Sequence, residues 1–464
     1  MTRSRTALAA LAVVAATTTA LTGCSSGGNS GSGSGTTLTV WSAENQPDRI
    51  AIQKADIAGF TKATGIKVNL VGIDDTQLGQ LVQSNALSGK LPDVMGALSL
   101  SDVRTLEDQK LLDTAAAAAV VDKLGKSTFD PSALSLDSDK GQQLAVPDSS
   151  WIQMLLYRKD LFAKAGLPVP NTYANIEKAA QTLTKGGQFG ITLSTDPKDV
   201  FTEQTFESFA LGNGCQLVDS SGKITIDSPP CQATWNLYGA LAQKYSPSGA
   251  QTVDTTRAAY YAGQAAMVDW SSYILGSLAG LDTANLPSCP QCKGDPTWLA
   301  KNTGIVSSIA GPDGQPATFG EISAWTMLKG KNTSAAEKFV QYMMSTGYVK
   351  WLSMSPEGKV PVRTGTPSNP TQYTDAWKTL KTGVTSKATL SSVFDAQTIQ
   401  AIQNAPKTLQ RWAISQGQGN LLGSINTSLV IPKIVGSMGA GSLSPQAAGQ
   451  QAQQQVTDAQ SKLK

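Results

Sequence analysis

An α/β protein of two or more domains is what this sequence predicts, on three observations. Short alternating strands exchange with amphipathic helices from the start of the folded part. About 440 residues follow an N-terminal leader, more than a single core organises. Apolar residues at 40% and charged residues at 15% describe an ordinary globular chain.

The leader ends in Leu21-Thr22-Gly23-Cys24, read as a lipoprotein cleavage box. Arg3 and Arg5 precede an uncharged run over 6–22, the length of a secretory signal core and too short for a good membrane span. Cutting after Gly23 would make Cys24 the N-terminus, where lipid chains anchor the protein to the outer face of the cell membrane. Residues 25–35 are Gly and Ser with one Asn, a flexible tether that cannot build a core. Past the leader no other long apolar run predicts a transmembrane helix.

The folded part opens on Thr37-Leu38-Thr39-Val40-Trp41, an alternating strand. A helix over 50–64 follows, with Ile50, Ile57 and Phe60 at helical spacing and Gly65 to end it. A strand over 66–70, a helix over 77–88 and a third short strand after the turn at 89–93 complete the signature of an open parallel sheet. Residues 102–112 read as a helix with Leu106, Leu111 and Leu112 inward. The stretch 151–156 is apolar except for Gln153, and a short helix then ends at Gly166. Near the C-terminus, Ser334 with Glu337 forms a capping-box pattern for a helix to about residue 352. Ser444-Pro445 starts a last helix, packed through Ala447, Val456 and Ala459.

No histidine is present, which excludes Ser-His-Asp and Cys-His hydrolases. A formal charge of +3 falls to +1 without Arg3 and Arg5, and no basic field remains for nucleic acid. Cysteines 215, 231, 289 and 292 are an even set in an oxidising compartment. Of three pairings, Cys215 with Cys231 and Cys289 with Cys292 are favoured, the first closing the loop over 218–223 and the second as a surface staple.

Several segments in fixed order carry a resemblance: Val40-Trp41, residues 60–68 (Phe-Thr-Lys-Ala-Thr-Gly-Ile-Lys-Val), 91–94 (Leu-Pro-Asp-Val), Val146-Pro147 and 157–162 (Tyr-Arg-Lys-Asp-Leu-Phe). Residues 258–267 and 334–340 continue it. Together they resemble the extracellular solute-binding proteins of the maltose-binding type, which serve ABC sugar importers. That resemblance implies a two-lobed periplasmic-binding-protein-like fold with three crossovers, near residues 146–149, 319–323 and 353–357. Lobe I would comprise 37–147 and 320–355, and lobe II 148–319 and 356–464, behind a signal at 1–23 and a lipidated linker at 24–36.

Sugars present apolar C–H faces and hydroxyl rims, so their sites combine aromatic platforms with carboxylates and amides. On the resemblance, Trp151 after the first crossover and Trp270 lead the candidates, with Asp269 and Tyr273 carried beside Trp270. Glu321 in the second crossover is third and Arg363 a weaker fourth, while Glu44 and Ser99 lie in loops after strands. Trp235, Trp351, Trp377 and Trp412 read as core residues. The expected protein is a monomer without cofactor that captures a neutral di- or oligosaccharide and presents it to an ABC permease. Alternatives are another solute, such as a peptide, polyamine or glycerophosphodiester, or a secreted glycosidase using two carboxylates from among Glu44, Asp269 and Glu321.

Overall fold

The structure, a computed structural model, describes residues 36–74 and 77–463. The cleavage box, Cys24 and the Gly/Ser linker lie outside the described residues. Nine strands form one mixed sheet: Thr37–Ser42 (β1), Lys67–Gly72 (β2), Val94–Leu98 (β3), Val146–Arg158 (β4), Met267–Ser271 (β5), Thr303–Val306 (β6), Thr318–Met327 (β7), Val360–Pro361 (β8) and Leu409–Gln410 (β9). Their order is β8-β4-β7-β3-β1-β2, with β5 and β6 on the outer half of β4 and β9 on β7.

The open parallel sheet expected from the sequence holds for β1, β2 and β3. Beyond them β7 runs antiparallel to both β3 and β4, which makes the sheet mixed. The long strand β4 makes the link. Its first half pairs with β7 through Ile152, and from Gln153 onward it pairs with β5. The apolar run at 151–156 spans this change of partner.

Helices cover the sheet where their apolar stripes dictate. Pro47–Thr64 (α1) turns Gln53, Asp56, Ile57 and Phe60 inward at spacings of three and four, and Gly65 ends it at φ 74°. Leu78–Ser88 (α2) and Leu100–Asp108 (α3) follow β2 and β3. The start of α3 falls two residues before the sequence-based expectation because Ser99 caps it. Its Oγ accepts from the Asp102 amide at 3.2 Å, and Asp102 Oδ2 accepts from the Ser99 amide at 3.2 Å. Ser99→Ala is therefore expected to cost about 1 kcal/mol in urea unfolding, and an unchanged midpoint would refute the cap's contribution.

Further on come Val200–Gly212 (α4), Gly419–Thr427 (α5), Val430–Gly439 (α6) and Pro445–Gln460 (α7). Ser444 caps α7 as expected, but the packed face is Ala448, Ala452, Val456 and Ala459, which leaves Ala447 half-buried. The capping box at Ser334 and Glu337 does not form. Asn332 occupies the cap position without a capping bond from its side chain, and the helix Thr333–Met343 stops before a separate one at Tyr348–Ser353. Between them the Gly347 amide turns back to the Tyr342 carbonyl at 3.0 Å. Cys215–Cys231 and Cys289–Cys292 are both disulfides, and Trp235, Trp351, Trp377 and Trp412 are core residues.

Candidate ligand-binding cleft

The change of partner along β4 leaves room beside it. A cavity of about 1070 Å³ opens there, above the few hundred to a thousand Å³ of ordinary small-molecule pockets. Glu44, Ser99, Trp151, Trp270, Tyr273 and Glu321 all lie on its wall, brought together from five segments of the chain.

Trp151 is placed by register. It sits opposite Glu321 across β4 and β7, and directly opposed residues share a face, so both project into the cavity. The indole stays half-buried and leans on Phe319 and Tyr273, with ring centres 6.0 and 6.2 Å away. Those two rings hold it in place, and Trp151 is part of the cavity lining. Tyr273 itself fits because residue 358 is glycine: a Cβ there would fall 2.1 Å from the tyrosine ring. Burial pushes its phenol up to about 12, so it is a neutral hydroxyl at physiological pH. Trp270 is more deeply set. Its Nε1 donates to Val253 O and Thr256 Oγ1, both at 3.2 Å, and Phe201 packs 5.5 Å away.

The buried carboxylates of the wall are already balanced. Glu44 receives Arg49 at 2.5 Å and Lys359 at 2.6 Å. Burial alone would raise its pKa, but the two cations outweigh that and hold it at about 2. Arg49 also lies 5.4 Å above the Tyr273 ring, and Lys359 4.5 Å above that of Trp351. Glu357 takes hydroxyl hydrogen bonds from Ser355, at 2.9 Å, and from Thr382, while burial raises its pKa. Glu321 is held from both sides: the Leu100 amide of α3 donates to it at 2.9 Å, and Arg411 pairs with its other oxygen. Arg411 is in turn 3.3 Å from Glu207 and 3.7 Å from Glu203 of α4.

Two candidates stand elsewhere. Asp269 precedes Trp270 in β5, and strand alternation sends neighbours to opposite faces. With Trp270 on the cavity wall, Asp269 is buried behind it, accepts from Ser208 Oγ at 3.2 Å, and is driven well above the usual carboxylate range by burial. Arg363 is also off the wall. It donates to Leu124 O at 2.8 Å, Thr128 Oγ1 at 3.1 Å, Tyr373 OH at 3.2 Å and Met344 O, a set that ties the 363–373 segment to the ends of the helices Thr114–Leu124 and Thr333–Met343. Sequence reasoning missed Arg49, Glu357, Lys359 and Arg411. Arg49 and Glu357 were legible, being beside the first strand's loop and in the third crossover; Arg411 carries no local signal.

A half-buried indole, ion-paired buried carboxylates and a roomy cavity where long strands change partners fit a two-lobed solute-binding fold. The chain belongs to the bacterial extracellular solute-binding protein family, whose pattern it matches over residues 56–382. It is 31% identical over 326 residues to YcjN of Escherichia coli K12, named for a periplasmic-binding role with an ABC transporter, a match covering 68% of this chain and 71% of YcjN. Among solved structures it resembles the GacH receptor of Streptomyces glaucescens, with TM-score 0.69 and 19% identity, over 93% of this chain and 100% of that one. A sugar transporter protein of Arthrobacter chlorophenolicus with bound laminaribiose matches at TM-score 0.69 and 18% identity, over 92% and 100% of the two chains. The protein is thus an extracytoplasmic solute-binding component of an ABC transporter, in a family and fold of substrate-binding proteins.

Proposed function

We propose that this protein captures a neutral di- or oligosaccharide between its lobes and delivers it to the membrane subunits of an importer. One observation carries the reading: the half-buried Trp151 lines a cavity whose buried acids, Glu44 and Glu321, are each matched by cations. A sugar ring uses both features, its C–H face on the indole and its hydroxyls on the polar rim. A peptide, polyamine or glycerophosphodiester would bring charge that Glu44 and Glu321 are not free to meet. Proteins of the same fold that hold acarbose and laminaribiose support the carbohydrate class. The glycosidase alternative needs two carboxyl groups free to act on a bound sugar: Glu44 is paired with Arg49 and Lys359, Glu321 is engaged by the Leu100 amide and Arg411, and Asp269, though burial raises its pKa, lies behind Trp270 off the cavity wall.

In this reading Trp151, Trp270, Tyr273, Glu44, Ser99 and Glu321 contact the solute, while Asp269 and Arg363 support the walls. Lobe I, 37–147 with 320–355, closes on lobe II, 148–319 with 356–464, about the three crossovers, and the ligand shifts that equilibrium by favouring the closed form. The chain acts as a monomer without cofactor, held to the outer face of the cell membrane through lipidated Cys24.

A thermal-shift screen of the full chain in a non-glycosidic detergent, against mono-, di- and oligosaccharides with peptides and polyamines alongside, tests the class. Ligand at 100 times its Kd adds roughly 2.7 kcal/mol, a visible shift. Silence to every saccharide with a response to a charged solute would overturn the carbohydrate reading.

A further inference from the structure

Part of the cavity wall comes from the C-terminal helices. Helix α5 lies against α3 through two glycines. A Cβ on Gly419 would come within 2.6 Å of Arg104 Nε, and one on Gly423 within 2.9 Å of the Ser101 carbonyl. This close approach sets the C-terminal end of α5 beside α2, where a Cβ on Gly79 would lie 3.9 Å from Thr427 Cγ2, and Asn426, Thr427 and Leu429 join the cavity lining.

Asn426 is the anomaly there. The other large side chains of its helix, Leu421, Leu422 and Ile425, are buried in the apolar core. Asn426 is only 7% exposed, yet its Oδ1 has no hydrogen-bond partner in the protein. A buried amide oxygen left unmade is costly, and a leucine of similar size would suit the packing better. The next corner supports the same reading. Leu429 holds φ +52°, a left-handed conformation that a branched side chain adopts only at a cost, and it too lines the cavity.

We infer that Asn426 is a ligand-contacting, specificity-determining residue whose Oδ1 accepts a hydroxyl of the bound solute, making the α3–α5 wall a second sugar subsite beyond the Trp151 platform. The inference rests on the carbohydrate reading. It extends that reading to the length of the ligand: a saccharide that spans the cavity from Trp151 to the α3–α5 wall meets both residues.

The test compares full-length wild type, Asn426→Leu and Asn426→Asp in a non-glycosidic detergent, by calorimetric titration with glucose, maltose, laminaribiose and maltotriose. Asn426→Leu should weaken the best di- or trisaccharide roughly 5- to 30-fold. Asn426→Asp, which keeps the acceptor, should stay within about 3-fold of wild type. The ligand-free melting temperature of Asn426→Leu should equal or exceed that of wild type, an outcome a structural role for the amide would not give. Equal affinity of wild type and Asn426→Leu for every saccharide bound would overturn the inference and leave the carbohydrate reading standing. A ligand-free loss of stability that accounts for the weaker binding would overturn it as well. A wild type silent to these and to every saccharide of the thermal-shift panel, with a response to a charged solute, would instead overturn the carbohydrate reading, and this subsite with it.

Discussion

Replacing Arg411 with Met is expected to cost about 3–5 kcal/mol of stability, and the loss should shrink as the pH is lowered. Arg411 is buried, and its guanidinium faces Glu203, Glu207 and Glu321 while lying 4.7 Å above the Phe319 ring. Three carboxylates share one cation in a dry site, and burial, with Glu207 beside it, drives Glu203 well above the ordinary value of 4.5. Glu321 is raised too, again chiefly by burial, with Arg411 opposing the shift. For a carboxylate whose folded pKa is raised, the native state holds more protons than the unfolded chain. Stability is then fullest below about 4.5 and is lost as pH rises through the raised value. Removing the cation extends that window upward. The variant's deficit in urea unfolding should therefore be larger at pH 8 than at pH 5, and equal deficits would contradict the account. Glu44 works in the other sense: its depressed pKa of about 2 contributes stability above 4.5 that is lost as acid approaches 2, and the Arg411 substitution leaves it untouched.

That cluster also shows where sequence reading stops. The early strands and α1 were legible because their signals are local: alternation in β1, three-and-four spacing in α1, and Gly65 at the helix stop. Glu321 and Arg411 are 90 residues apart, and nothing in either neighbourhood names the other. The antiparallel course of β7 was hidden for the same reason, since the direction of a strand is set by the element it returns to. Asp269 and Trp270 mark a different kind of miss. Period-two alternation allows only one of two adjacent strand residues to face a cleft, so the sequence did contain the argument against carrying both. The failed cap at Ser334 is a tertiary override: the helix begins on Asn332, whose Nδ2 donates to Asp93 Oδ1 at 2.9 Å, and the chain has already turned when Ser334 arrives.

Trp151→Ala should weaken binding of the preferred saccharide by about 2–4 kcal/mol, some 30- to 1,000-fold in Kd. The size of the effect follows from what holds the ring. An indole pressed against two aromatic rings loses little freedom when a ligand stacks on it, so the apolar contact is realised almost in full. An alanine would leave the sugar face against water, and the Glu321 opposite, engaged by Leu100 and Arg411, would not compensate. Trp151→Phe keeps a smaller platform in the same plane and should recover part of the loss. Calorimetric titration of the three proteins with the saccharide that gives the largest thermal shift makes the comparison, with ligand-free melting temperatures recorded beside it. If Trp151→Ala bound within about 3-fold of wild type, the platform would lie elsewhere. The rank order wild type, Phe, Ala, with a loss in affinity that exceeds any loss in ligand-free stability, is what stacking on this indole requires.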